Sequence, residues 1–433
     1  MKKVASITFG CKINQYETSC IVDEFNQAGY EDTDFNNPAD VYIINTCTVT
    51  NRTDYKSRNA IRKALAQKQI NPSVKVVVTG CYSQRKKEEI IALGDVDLIA
   101  DNNSKSKIFS KLNSGDLIFK DINEQHNFDE ISTTRMIDKT RAFIKIQDGC
   151  DYYCAYCAIP YARGHSRSSK RENVLKQIKK LIDNGYKEFV LGGINLGLYG
   201  VEAGYSLAEL LYEIEKIEGV KLIRLSSIEP QLFTDELLEY LKQSKKICHH
   251  FHIPLQAGCD ELLTKMGRRY TTAQFENTIN KLRTIFPDVA IGIDVISGLP
   301  GETDELFQKT HLFLTNLDFT YLHVFSYSKR PGTRAEKMKD HVNGKIIKQR
   351  SNKLIAISET KLGKYIDYII KNKIELQGVI EHRKNGYWTA LSDHYVRVYI
   401  NSNENLEKKY LHLTPVSKND YGIEANIIVR DIK

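Results

Sequence analysis

Short apolar strands and amphipathic helices alternate along most of this 433-residue chain, and cysteines recur directly after the strands. A strand–helix–strand unit brings the chain back parallel to itself, so the alternation restricts the fold to α/β architectures built on parallel sheets. Residues 4–9, 41–46, 74–79 and 96–100 read as buried strands, and 16–27, 54–67 and 83–93 as helices. They predict an N-terminal doubly wound parallel sheet, assigned to residues 1–112. Residues 102–140 are polar and weakly periodic, and a boundary falls there. From residue 141 the alternation resumes, with strands at 142–147, 189–193, 222–226, 251–255, 290–296 and 321–325. Helices at 172–183, 207–217, 235–241, 273–285 and 304–314 separate them. The expectation is a partial (β/α)6 barrel within residues 136–366, short of the full eight-fold version. A long helix at 344–369 leads to a strand-rich tail, residues 373–430, punctuated by Lys384-Asn385-Gly386 and Asp420-Tyr421-Gly422. That tail, within residues 370–433, predicts a small β-barrel of a kind that often binds nucleic acid.

The formal net charge of +8 permits a polyanionic partner without requiring one. No apolar run approaches the roughly 18 residues of a membrane span. Met1-Lys2-Lys3 opens positively, but Gly10-Cys11-Lys12 interrupts the apolar stretch too soon for a signal peptide. The expectation is a cytoplasmic protein with no membrane partner. In that compartment nine cysteines are thiols or metal ligands rather than disulfides.

Cys150, Cys154 and Cys157 sit on one short loop directly after the first barrel strand. Soft thiolates at that spacing suit an iron cubane and leave one iron open to a small molecule. Structural zinc is the competing reading, but it normally takes four protein ligands, and no second cysteine pair lies nearby. The loop also falls at the strand end where barrel active sites collect. Cys11, Cys47 and Cys81 each follow an apolar strand of the N-terminal sheet, so a parallel sheet would bring their thiols to one edge. The alternative is three buried structural thiols. Cys20, Cys248 and Cys259 match no ligand pattern and read as structural, and His249, His250 and His252 read as packing or polar substrate contacts rather than metal ligands.

The C-x3-C-x2-C spacing with Tyr156 before its last cysteine resembles the radical S-adenosylmethionine (SAM) superfamily. That resemblance implies that the open iron chelates SAM and that SAM cleavage yields a 5′-deoxyadenosyl radical. It also implies SAM contacts from Tyr156, Gly192, Gly193, Ser226, Glu229 and Gln256 along one barrel rim, although a glycine pair by itself equally suits a simple turn. Two cysteine triplets in this order resemble the methylthiotransferases, with an auxiliary cluster on Cys11, Cys47 and Cys81 and a tail similar to the TRAM RNA-binding domain.

Within that family, Gly10-Cys-Lys-Ile-Asn-Gln-Tyr-Glu-Thr18, Asn45-Thr-Cys-Thr-Val-Thr50 and Val324-Phe-Ser-Tyr-Ser-Lys-Arg-Pro-Gly-Thr333 most resemble the group acting on threonylcarbamoyladenosine. Gly192 departs from the threonine expected of that group. The implied reaction adds sulfur and a methyl group at C2 of adenosine 37 in the tRNA anticodon stem-loop. It implies two [4Fe–4S] clusters, SAM, an external electron donor, a sulfur source and a monomeric enzyme. Isopentenyladenosine or a ribosomal-protein aspartate as substrate, and a non-enzymatic iron–sulfur RNA-binding sensor, are the competing readings. Arg52, Lys56, Arg163 and Arg167 are candidate RNA contacts, since basic side chains position phosphates without reading sequence. Tyr387, Trp388, Tyr395 and Tyr399 can stack bases or fill the tail's core. No catalytic residue beyond the cluster ligands is identified.

Overall fold

The structure, a computed structural model, describes residues 1–112, 119–137 and 139–429. The end of the expected tail, from Arg430 onward, lies outside the described residues. β1 (Lys3–Thr8), α1 (Lys12–Gln27), β2 (Glu31–Thr33), β3 (Val41–Thr46), α2 (Asn51–Ile70), β4 (Lys75–Gly80), α3 (Cys81–Arg85), α4 (Lys87–Ile91) and β5 (Leu98–Ile99) form the first unit. The strands pair in parallel in the order β2-β1-β3-β4-β5. Central β3 is buried at every position, as expected of a strand covered on both faces.

Two details depart from the periodicity. α1 starts at Lys12, before its apolar stripe, because Gly10 turns the chain at φ +97° and Cys11 becomes the N-cap. The helix expected over 83–93 is two short ones, broken at Lys86 with φ −140°. Arg85, at the end of α3, is held by the carbonyl of Pro331 on the central barrel. That tertiary contact outweighs helical propensity, which is a weak preference.

After α5 (Ile108–Lys111) the chain enters the barrel through β6 (Ala142–Lys145), β7 (Gln147–Asp148), α6 (Ile159–Arg163), β8 (Arg167–Ser168), α7 (Arg171–Asp183), β9 (Glu188–Gly192), α8 (Leu207–Glu215) and β10 (Leu222–Leu225). It continues through α9 (Asp235–Gln243), β11 (His250–Gln256), α10 (Asp260–Lys265), α11 (Thr272–Ile285), β12 (Ala290–Ser297), α12 (Asp304–Asn316), β13 (Tyr321–Ser326) and the long α13 (Gly344–Lys371). Two three-stranded parallel sheets, β10-β9-β6 and β11-β12-β13, join where Ile223 bridges Ile247, giving an open barrel. Ala142, Ile144, Phe189, Leu191, Ile223 and Leu225 share one core with Ile178 and Leu181 of α7. By the two-residue strand period, Phe143, Val190 and Arg224, which are in register, face the lumen.

The expected first barrel strand is divided. β6 ends at Lys145, and β7 leaves the barrel to pair antiparallel with β8, Gln147 opposite Ser168 and Asp148 opposite Arg167. The pair clasps both ends of the segment carrying Cys150, Cys154 and Cys157. The tail closes a barrel in the order β14-β15-β16-β18-β17, from β14 (Leu376–Lys384), β15 (Tyr387–Leu391), β16 (Arg397–Ile400), β17 (Tyr410–Asn419) and β18 (Gly422–Ile427). Its turn at residues 392–395 seats against the N-terminal end of the central barrel. There Arg224 donates to the Ser392 carbonyl at 2.9 Å, and Tyr395 stacks on His250 at 4.0 Å.

Candidate functional site

The first triplet is built by three adjacent strands. Cys11 follows β1, Cys47 follows β3 and Cys81 follows β4. Two left-handed glycines let these loops close on one another. A Cβ on Gly10 would stand 2.6 Å from Cys47 Sγ, and one on Gly80, at φ +101°, would stand 2.2 Å from the Thr46 carbonyl. Asn14 ties the same loops together, donating to the carbonyls of Phe9 at 2.8 Å and Thr46 at 3.0 Å. Asn102 donates to Cys81 Sγ at 3.6 Å and to the Ala162 carbonyl of α6 at 2.7 Å. One amide therefore touches both a first-triplet cysteine and the helix that follows the second triplet.

Between the triplets lies a buried network of charge. Arg163, fully buried at the end of α6, donates to both Asp148 oxygens at 2.9 and 3.0 Å, to Glu17 Oε1 at 3.0 Å and to Asn14 Oδ1 at 2.7 Å. Lys145 pairs with Glu17 at 3.0 Å and Asp148 at 3.1 Å, and Lys105 also pairs with Glu17. Arg167 lies 3.8 Å from Asp148. Four buried cations thus meet the two carboxylates that pair with them, leaving positive charge beside Cys11 and Cys81.

The second triplet sits at the C-terminal mouth of the barrel. Arg268 donates to Cys154 Sγ and to the Tyr156 hydroxyl, both at 3.2 Å, and is ion-paired with Glu229. Asn195 donates weakly to Cys150 Sγ at 3.9 Å, and its own backbone N–H is held by Gln147 at 2.8 Å. Burial pushes the Cys157 thiol up to about 12 and raises Cys150 as well. Burial likewise pushes Cys47 up to about 12 and raises Cys11, with Arg163 opposing the rise. Protonated thiols at such sites are poor ligands alone, and a bound metal displaces the proton outright. Both triplets fit thiolate-ligated iron: each has a hydrogen-bond donor aimed at sulfur, and the excess buried positive charge offsets an anionic thiolate cluster.

The other expected residues are placed as follows. Tyr156 and Glu229 meet at Arg268, and Ser226 accepts the Gly193 N–H at 3.4 Å. Gln256 ends β11 with φ +68°, a left-handed conformation unusual for a side-chain-bearing residue. The glycine at 192 has a packing cause, since a Cβ there would stand 2.0 Å from the Phe143 ring, and a Cβ at 193 would strike the Gln147 side chain. Arg52 and Lys56 are exposed on α2. Arg163 and Arg167 are not surface contacts for RNA: both are buried and bonded within the charge network. Tyr395 stacks over the hydrogen-bonded pair of His250 and Tyr321, with the Arg224 guanidinium 5.5 Å from its ring, and Trp388 is buried with its indole N–H on the Glu404 carbonyl, so both are engaged within the fold. Cys20, Cys248 and Cys259 are buried, in keeping with a structural role. His249 and His252 make polar contacts, to Asp288 at 3.1 Å and Asp294 at 3.0 Å, and each belongs to a group whose geometry could hold a metal ion, His249–Asp288–His394 and His252–Asp294–His323.

Residues 3–101 match the uncharacterized protein family UPF0004, and residues 144–314 match the radical SAM superfamily. The threonylcarbamoyladenosine tRNA methylthiotransferase MtaB of Bacillus subtilis is 41% identical, covering 100% of this chain and 98% of the relative. This chain belongs to the radical SAM methylthiotransferase family. The Aquifex aeolicus protein of the same name is 39% identical over 89% of the chain and 97% of its own length. A tRNA-2-methylthio-N(6)-dimethylallyladenosine synthase from Natranaerobius thermophilus is 35% identical over 83% of the chain and 81% of its own length. Among solved structures, the radical S-adenosylmethionine methyltransferase TsrM from Kitasatospora setae superposes with a TM-score of 0.58 at 14% identity, covering 78% of this chain and 75% of that one. At that identity the likeness concerns the fold.

Several residues that build the candidate site have roles no local pattern reveals, even where, as for Glu17 and Arg330, they fall within a family-like segment. Arg268 lies in no motif, and Glu17, Lys105 and Asp148 are charges that composition assigns to the surface. Arg330, after β13, reaches across to Asp54 at 2.6 Å, Thr48 at 2.9 Å and Asn51 at 2.8 Å, pinning the loop that follows Cys47. An arginine that docks on a distant helix start is visible only once the chain is folded.

Proposed function

We propose that this chain adds a methylthio group to C2 of N6-threonylcarbamoyladenosine at position 37 of tRNA. The observation that carries the reading is the joining of the two triplets by Asn102 and Arg163, which holds two cluster-binding loops in one site, as a two-cluster reaction requires. The kinship with proteins named for this substrate supports the choice of nucleoside. Cys150, Cys154 and Cys157 would hold the cluster that binds SAM, and Cys11, Cys47 and Cys81 the cluster that carries sulfur. When bound, these groups supply radical activation of an aromatic C–H bond and the sulfur that replaces its hydrogen. The chain's own residues do the rest. Arg268 holds Glu229 and Tyr156 at the barrel mouth, where the methionine part of SAM would meet Gly193, Ser226 and Gln256. Exposed Arg52 and Lys56 would lie along the RNA backbone, and the tail barrel would extend that surface. The reaction needs an electron donor and a sulfur source from outside the chain. We place the enzyme in the cytoplasm with its tRNA, and among the described residues no helix is long and apolar enough to cross a membrane.

The test is mass spectrometry of tRNA nucleosides after deletion of the gene. Loss of the 2-methylthio derivative with retention of threonylcarbamoyladenosine is expected, and re-expression restores it. An unchanged nucleoside profile, or loss of the isopentenyl derivative instead, overturns the assignment.

A further inference from the structure

A cavity of about 390 Å3 lies between the start of α1 and the lumen face of β6 and β9. Lys12, Lys139 and Arg141 line it together with the hydroxyl-bearing Ser6, Thr8 and Tyr16, and among the described residues no carboxylate does. The cations differ in how they are satisfied. Arg141 is held by Glu381 of the tail, and Arg224, on the same lumen rung as Phe143 and Val190, is held by Glu188 at 3.0 Å. Lys12 and Lys139 have no ion-pair partner among the described residues. Lys12 stands exposed to the water of the cavity, on the wall it shares with Lys139 and Arg141. An anion entering the cavity meets Lys12, Lys139 and Arg141 on its wall. Lys12 also follows Cys11 directly, so whatever it binds is held within about a side-chain length of the first triplet.

We propose that Lys12, backed by Arg141 and Arg224, is the subsite for the carboxylate of the substrate's threonylcarbamoyl group, an inference that rests on the function proposed above. The chemistry discriminates between the two kinds of N6 substituent. A threonylcarbamoyl chain ends in a carboxylate that pairs with the ammonium, whereas an isopentenyl chain is neutral and offers the ammonium no partner.

The test uses reconstituted full-length protein and two anticodon stem-loops. One carries threonylcarbamoyladenosine with a free carboxylate, and the other carries its methyl ester. Binding is read by fluorescence anisotropy without reductant. The wild type should bind the acid roughly tenfold or more tighter than the ester, the size expected of one charge-assisted contact. Lys12→Met should weaken the acid alone until the two bind alike, and Lys12→Arg should keep most of the preference. Equal wild-type affinity for acid and ester overturns the subsite, and that comparison needs no variant to fold. So does a Lys12→Met protein, of normal iron content, that loses affinity equally for both, which would make Lys12 a backbone-phosphate contact. Turnover separates this inference from the function it rests on. A wild type that methylthiolates neither stem-loop overturns the function, while one that methylthiolates both with equal kcat/KM keeps the function and overturns the subsite.

Discussion

Arg163 shows how far a single residue's role depends on its surroundings. In the sequence it is one of several arginines after a cysteine loop, and a phosphate contact is the natural expectation. In the fold its guanidinium is the junction of Glu17, Asp148 and Asn14, at the point where the two triplets approach. A buried charge is costly unless it is paired, and removing one member strands the others. Arg163→Met leaves two buried carboxylates with fewer cations, and should destabilise the protein by about 3–5 kcal/mol, the usual cost of breaking a buried pair. The readout is the urea midpoint of the reconstituted protein, and an unchanged midpoint would refute the junction role. Arg268 follows the same logic at the barrel mouth, where it organises Cys154, Tyr156 and Glu229.

At the scale of elements, the strand ends bring Cys11, Cys47 and Cys81 together, and the glycines before Cys11 and Cys81 set how closely. The positions of β1, β3 and β4, each followed by a cysteine, are legible because burial on both faces leaves uninterrupted apolar runs. The closeness of their loops is not, since it depends on Gly10 and Gly80 facing a neighbouring strand's loop rather than their own. Gly80→Ala puts a methyl 2.2 Å from the Thr46 carbonyl in a left-handed conformation, so the loop must move. The expected result is loss of about half the iron on reconstitution, with the radical-SAM cluster retained. Full iron content in Gly80→Ala would show that the first triplet tolerates a wider gap. The β7–β8 pair was invisible for a related reason: two residues on each strand carry no periodicity, and only their partners define them.

In the whole molecule the three units are locked to one another. The tail turn carries His394, which lies 2.9 Å from Asp393 and 3.1 Å from Asp288, while His249 of the barrel lies 3.1 Å from the same Asp288. Burial opposes the charged imidazole, but Asp393 and Asp288 raise His394 to about 9. A histidine raised in this way contributes its full stabilisation below its ordinary value near 6.5, and loses it as pH rises through about 9. Burial pushes Asp288 up, yet its two histidines hold it well below the usual carboxylate range, so its contribution falls away only in acid. Docking of the tail turn should therefore loosen between about pH 6.5 and pH 9. Hydrogen exchange at residues 392–396, corrected for intrinsic base catalysis, should accelerate across that window, and His394→Gln should remove the dependence. A pH-independent corrected rate in the wild type would count against the clasp. The sequence by itself determined the alternation, the six cysteines proposed as ligands and the order of the units, because apolar periodicity and thiol position are local properties written residue by residue. Only the tertiary structure decided which charges are buried, which cations lack an ion pair among the described residues and how the units clasp, because pairing depends on residues that the sequence holds far apart and the fold sets side by side.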